Sequence, residues 1–251
     1  MRGILIQHPL EYRLDVIGDS FEQGASVPCS LTIKNHAQTP TKIEGLSLLL
    51  ATGNLKKVKS KDSDAFEILE RFELASSLEL APSSHVTHER VLHLSLNSAI
   101  TDKNSSPYLL YGDSAHAQGL GQLLLTTQPH AHVRHIFDTM TTVFNFINRG
   151  VTSKDNQTVA KFKSPDSRRY SLVEELNVFS SFGEDLSITL RFVFTVKRFD
   201  HSSTAVAVKK AKVEILRQLE PSEYLFGGSF VRQEYIDEQI EAALAEVSSG
   251  L

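Results

Sequence analysis

Apolar and polar residues alternate along the first segments of the chain. Between residues 11 and 16 the apolar side chains occupy every second position, at Tyr12, Leu14 and Val16. The pattern returns at Val27, Cys29, Leu31 and Ile33, and an apolar run at 43–50 follows a polar turn. A period of two residues is typical of a strand with one solvent-exposed face. These segments therefore predict the opening of an antiparallel β-sandwich.

The rest of the first half continues the strand pattern. Further candidate strands cover 66–74, 92–96, 108–111 and 120–127, and turn-forming residues separate them at 52–54, 61–64, 81–84, 101–107 and 112–121. Seven or eight strands complete a sandwich. We therefore predict a first domain over residues 1–129, with its boundary near Gln128 and Pro129.

Helical spacing appears where this first domain is expected to end. Apolar residues three or four positions apart predict one helix near the junction of the two halves, and we expect it to lie against a sheet. Its apolar face comprises Val133, Ile136, Phe137, Met140 and Phe144, with Ile147 as a further candidate.

The second half, residues 130–251, is predicted to form a second sandwich lobe with strands at 158–163, 172–179, 186–196 and 206–216. The third of these alternates most regularly. In the fourth, the apolar parity changes between Val208 and Ala211, which predicts a bulge near Lys209 and Lys210. An amphipathic helix over 230–247 ends the chain, and we expect its apolar stripe to dock on its own domain. That stripe is Ile236, Ile240, Ala243, Leu244 and Val247.

Charge and cysteine content restrict the functional classes. A net charge of −4 and a pI near 6.2 give no general reason to bind nucleic acid or anionic lipid. The basic cluster of Lys56, Lys57, Lys59 and Lys61 is interpreted as a solvated loop or strand edge. Cys29 is the single cysteine and is expected to be a core residue. With no partner for a disulfide, and with no signal peptide or long apolar run, the chain is expected to be cytoplasmic.

Two stretches carry a family resemblance. GDSFEQGASVPCSLTIKN followed by TKIEGLSLLL resembles the arrestin-like pattern, in which a glycine-containing loop enters a strand and a polar turn leads to the next. The stretch from VAKFKSPDSRRY to ITLRFVFTVKRFD resembles the second lobe of bacterial sporulation-control M proteins of the same superfamily. The resemblance implies two tandem antiparallel sandwich lobes acting as a noncatalytic scaffold or regulatory adaptor for protein partners. It implies no catalytic or cofactor-binding residues.

Motifs for catalysis are scarce, and one histidine cluster supports the alternative hypothesis. The sequence has no Walker loop, no HExxH and no CxxC. His130, His132 and His135 are the residue types that bind zinc with an open fourth position, so a metal-dependent enzyme on a β-sandwich is the alternative. An ordinary polar helix start is the structural interpretation that we favour. Weaker candidates are His85, His88 and His93, the pair Asp113 and His116, and the SRRY segment at 167–170 as an anion site.

Overall fold

The computed structural model describes residues 1–113, 119–200 and 207–249. The chain divides into two compact units, Met1–Gln128 and Pro129–Leu251. Both are built around antiparallel sheets. The mainly β, antiparallel sandwich fold predicted from the sequence is confirmed.

The first unit consists of two four-stranded antiparallel sheets, ordered β1-β2-β4-β7 and β6-β5-β8-β9, and a short parallel pair, β3 with β10. Its elements are β1 (Arg2–Gln7), β2 (Leu10–Val16), β3 (Phe21–Glu22), β4 (Ser26–Asn35), β5 (Thr41–Asn54), α1 (Leu55–Ser60), β6 (Phe66–Leu80), β7 (His85–His93), β8 (Ser105–Asp113), β9 (Gly121–Leu124) and β10 (Thr127–Gln128).

The core of this unit forms where the inner faces of the two sheets meet. The alternating residues predicted to face inward on β2 and β4 are buried, and they pack against apolar side chains of β5 and β8. Leu46, Leu48 and Leu50 come from β5, and Leu109 and Tyr111 come from β8. The period-two pattern therefore identified the correct inner face on the first strands.

Tyr111 packs against backbone at one side of this sandwich. A Cβ atom added to Gly3 of β1 would lie 2.6 Å from Tyr111 Oη, and one added to Gly121 of β9 would lie 2.5 Å from Tyr111 Cζ. Real Cβ atoms do not approach other atoms so closely. Glycine at both positions therefore allows the tyrosine ring to pack directly between the outer strands β1 and β9.

Helix α1 corrects the prediction made for the lysine cluster. Lys56, Lys57 and Lys59 belong to α1, and Lys61 is its C-cap, so the cluster occupies neither a loop nor a strand edge. The helix begins because the Asn54 side chain accepts hydrogen bonds from the backbone N–H groups of Lys56 and Lys57. The turn predicted at 52–54 is consequently wrong, since β5 continues to Asn54. Leu55 and Val58 of α1 pack on the second face of the β5–β8 sheet.

The remaining turn predictions of the first unit are correct in part. Turns lie at 61–64 and 81–84 as expected. Strand β8 is longer than the apolar run 108–111, because it begins at Ser105 and ends at Asp113. The predicted turns at 101–107 and 112–121 therefore overlap it at both ends. His116 lies outside the described residues.

The second unit contains a five-stranded antiparallel sheet in the order β11-β12-β13-β14-β15 and a small β16–β17 hairpin. Its elements are α2 (Ala131–Thr142), β11 (Ile147–Lys154), β12 (Gln157–Lys163), a 3-10 turn (Arg168–Tyr170), β13 (Val173–Phe182), β14 (Ile188–Asp200), β15 (Ala207–Leu219), α3 (Pro221–Tyr224), β16 (Leu225–Phe226), β17 (Phe230–Val231) and α4 (Gln233–Ser249).

Helices supply the layer that packs on this sheet. The Phe137 ring of α2 lies 6.3 Å from the Phe162 ring of β12, so α2 lies against the sheet as expected. Ile147 is exposed on β11 and takes no part in the α2 face. Helix α4 contacts α2 and β15, and all five residues of its predicted stripe are buried. The terminal helix therefore docks on its own unit, although residues 230–231 belong to β17 rather than to the helix.

Strand β14 provides the central apolar stripe of the sheet. Ile188, Leu190, Phe192, Phe194 and Val196 are all buried, as their alternation predicted. The bulge predicted near Lys209 and Lys210 is absent from the described residues, since β15 pairs with β14 without a register shift from Ala207 to Leu219. Val206 lies outside the described residues.

Substitution on β14 tests this assignment of faces. We expect Phe192→Ala or Phe194→Ala to lower the free energy of unfolding by about 3–5 kcal/mol, because each leaves a large cavity. Arg191 points to the other face, where its guanidinium lies 4.0 Å from the Phe179 ring centroid. Arg191→Ala should cost less than about 1 kcal/mol. Denaturant unfolding measures all three, and equal losses would contradict the assignment.

Candidate interaction surfaces

The three histidines of the predicted metal cluster do not converge in the second unit. His130 caps α2, with its Nδ1 accepting a hydrogen bond from the His132 backbone N–H at 3.2 Å. The two rings lie edge to face with centroids 4.6 Å apart. His135, one turn further along the helix, has its Nε2 2.7 Å from Gln233 Oε1 at the start of α4. The sequence cluster is thus divided between a helix cap and a helix–helix contact.

Tyr224 extends this set of contacts towards the sheet. Its hydroxyl donates a hydrogen bond to the Leu186 carbonyl at 2.7 Å and lies 3.4 Å from His132 Nδ1. Burial raises the pKa of Tyr224 to about 12, and the Asp185 carboxylate adds to the rise. Such a group stays protonated near neutral pH and acts as a structural donor. In the described part of the chain, no group of three or more His, Cys, Asp or Glu side chains is arranged to hold a metal ion.

The weaker histidine candidates lie along β7. His93 Nδ1 contacts Ser26 Oγ at 3.1 Å, and His85 is exposed. His88 is half-buried on the opposite strand face, and burial together with the charge of Arg90 lowers its pKa. These three side chains form no shared site.

The other candidate residues have structural positions. Asp113 is buried at the end of β8, with its carboxylate 3.5 Å from the Glu44 backbone nitrogen. The SRRY segment, a candidate anion site, includes a 3-10 turn over Arg168–Tyr170 with Tyr170 buried. Cys29 is a buried core residue, and burial raises the pKa of its thiol to about 11. A thiol that stays protonated at neutral pH is a poor nucleophile.

Exposed apolar residues occur on outer strands of the first unit. Strands β1 and β7 are the edges of one sheet, and β6 and β9 are the edges of the other. On β1, Ile4 and Ile6 are exposed, with Ile6 at 64%. On β6, Ile68 and Leu69 are exposed, with Leu69 at 48%. An edge strand with exposed apolar side chains is a template for pairing with another chain.

Strand β6 also borders a cleft of about 220 Å³. The lining comes from β5, β6 and the segments around the ends of β7 and β8. It comprises Leu50, Leu69, Glu70, His93, Leu94, Ser95, Ser98 and Pro107. This cleft brings together residues far apart in the chain, and no local sequence signal indicated it.

A second exposed apolar feature is the β16–β17 hairpin of the second unit. Phe226 and Phe230 are directly paired and are 67% and 72% exposed. Gly227 and Gly228 both have positive φ values and form the turn between them. Two aromatic residues flanking a Gly-Gly pair are a hairpin signal that sequence reasoning could have detected.

A solved structure shares the fold described above over nearly the whole chain. The sporulation-control protein Spo0M from Bacillus subtilis matches with a TM-score of 0.65 and 13% sequence identity, covering 96% of this chain and 99% of that one. The chain has the Spo0M fold. The resemblance predicted from the sequence is confirmed at the level of the fold.

Other comparisons add little to this result. The alkylpurine DNA glycosylase AlkC from Pseudomonas fluorescens, solved with DNA containing an abasic-site analogue, aligns with a TM-score of 0.29 and 17% identity, covering 45% of this chain and 29% of that one. That score is too low to indicate a common fold. No family model and no curated protein matches the sequence. Among the described helices, none has both the length and the apolar character needed to cross a membrane.

Metal analysis tests the structural interpretation of the histidines. We expect purified protein to carry less than stoichiometric zinc, and the double variant His132→Ala, His135→Ala to leave that content unchanged. The double variant should melt at a lower temperature, because it removes the contacts to Tyr224 and Gln233. His85→Ala, an exposed position, is the control. Stoichiometric zinc that disappears in the double variant would instead support the metal-dependent enzyme.

Proposed function

We propose that the protein is a noncatalytic regulatory adaptor that binds protein partners through its outer strands. The observation that carries this proposal is the exposure of Ile4, Ile6, Ile68 and Leu69 on strands that end their sheets. Sheet edges bind extended peptides because their unpaired backbone N–H and C=O groups form hydrogen bonds with any strand that approaches. Apolar side chains beside such an edge add contact area and selectivity.

The fold and the chemistry of the candidate sites support the same proposal. Spo0M is named as a sporulation-control protein, and a chain with its fold is a reasonable candidate for a regulatory role. A fold by itself does not establish a function, and the exposed apolar residues on the outer strands are what support an adaptor. The polar residues with the clearest catalytic chemistry, His132, His135 and Tyr224, are engaged in contacts between secondary-structure elements.

Charge and cysteine content set the kind of partner and the compartment that we propose. The net charge of −4 favours protein partners over nucleic acid. A single, buried cysteine is compatible with a reducing environment, and we propose that the protein works in the cytoplasm.

Site-specific photocrosslinking in the native cell tests the adaptor function. A photoreactive residue replaces Ile6 on β1 or Ile68 on β6, and the matched control replaces Val143, an exposed apolar residue beyond the end of α2. We expect protein adducts at one or both strand positions and none at Val143, since only strand edges offer backbone pairing. Mass spectrometry identifies the adducts. Equal labelling at all three positions, or none at either strand, would contradict the proposal.

A further inference from the structure

Strand β6 of the first unit is an edge strand that carries a bulge. It pairs with β5 on one side and is the last strand of its sheet. The register with β5 shifts between Leu50, which faces Glu70, and Ala51, which faces Ile68. Leu69 is therefore an extra residue without a partner on β5, and it borders the cleft. A bulge of this kind changes the direction of a side chain at a sheet edge.

The cleft beside Leu69 combines apolar walls with an unsatisfied polar group. Leu50, Leu94 and Pro107 supply further apolar surface. Ser98 also lines the cleft, is 7% exposed, and has a buried hydroxyl without a hydrogen-bond partner. Its backbone is held in place, because its carbonyl accepts a hydrogen bond from Gln23 Nε2 at 2.6 Å. Among the described side chains that bury a polar atom without a partner, Ser98 is the one that lines the cleft. A buried hydroxyl normally has a partner, and a polar group that enters the cleft can supply one to Ser98.

The charged residues around the cleft favour an incoming group of the opposite charge. Glu70 is the one carboxylate among the described residues that line the cleft, and the His93 imidazole is the one basic group among them. Glu67 and Glu73 are exposed on the same strand, where Arg71 is the basic residue between them. Three carboxylates and one guanidinium make this stretch of β6 acidic. Its electrostatic complement is a cation.

From these features we propose that the cleft binds a lysine or arginine side chain of an extended peptide, which adds to the free edge of β6. The aliphatic stem of such a side chain packs on Leu50, Leu69, Leu94 and Pro107, as long basic side chains commonly do on apolar surfaces. Its N–H groups donate hydrogen bonds to the Glu70 carboxylate and the Ser98 hydroxyl. The peptide backbone pairs with β6. This inference rests on the adaptor function proposed above and specifies the chemistry of its partner.

Protection of the edge against aggregation explains only part of this arrangement. Charges and bulges on an outer strand discourage unwanted pairing. They do not require an apolar cleft or a buried hydroxyl without a partner. A lysine or arginine side chain satisfies the carboxylate, the apolar walls and the hydroxyl together.

Peptide selection tests the proposal on the full chain. The probe is a phage-displayed library of random peptides about twelve residues long, which at ~3.4 Å per residue reach along most of β6. We expect the enriched peptides to contain a lysine or arginine flanked by alternating apolar residues. When synthesised, they should slow hydrogen exchange of the amides at 66–74. Replacing the basic residue by norleucine should lower affinity on the order of tenfold, as the loss of a charge-assisted hydrogen bond does.

Variants of the protein assign the binding to the cleft. Glu70→Gln and Ser98→Ala should each weaken binding of the selected peptides. Glu67→Gln should weaken it less, because it removes an exposed carboxylate of the same acidic stretch that lies outside the cleft lining. Melting temperatures confirm that the variants are folded. The inference would be overturned if no peptides were enriched or if Glu70→Gln and Glu67→Gln lowered peptide affinity equally. Protection from hydrogen exchange at residues away from β6 would overturn it as well. The adaptor function would still stand if the photoreactive residue on β1 captured a partner.

Discussion

The contact of Tyr111 with the glycines of two outer strands shapes the first unit. Because Gly3 and Gly121 carry no side chain, the tyrosine ring packs directly against β1 and β9. Those strands end different sheets, so the contact closes one side of the sandwich. The cleft lies at the other side of the sandwich, where β6 and β7 end their sheets.

The side between β6 and β7 carries the chemistry of the cleft. Leu69 and Glu70 lie on β6, and the unpartnered Ser98 hydroxyl lies beyond the end of β7. Burying a hydroxyl without a partner costs stability, and a ligand that supplied the missing hydrogen bond would recover part of that cost. By contrast, the polar cluster of the second unit has its donors and acceptors engaged, which connects α2, α3 and α4. These differences support the binding surface that we propose in the first unit and a structural role for the histidines.

Local periodicity predicted which faces of the regular strands and of the terminal helix are buried. The inward faces of β2, β4 and β14 and the stripe of α4 could be read from alternation or helical spacing, because burial imposes that pattern directly. Helix α1 was not predicted because its six residues, of which Leu55 and Val58 face the sheet, are too few to show a repeating apolar stripe. The contact between His135 and Gln233 joins positions 98 residues apart, and the cleft at Ser98 depends on strand pairing that no local window contains. The prediction of a bulge in β15 was wrong. Strand β15 pairs with β14 without interruption, even though the alternation of its apolar side chains changes phase.

Hydrogen exchange of the protein in complex with a partner captured by photocrosslinking tests the central claim most directly. Exchange of the free protein is the reference, and the central strands β5 and β8 should be protected in both states. If the protein is an adaptor that binds through its open sheet edge, amides of β6 should gain protection in the complex while those of α2 remain unchanged. Protection confined to residues 130–142, with no change on any outer strand, would contradict the account. It would indicate that the partner binds at the segment that contains the histidines.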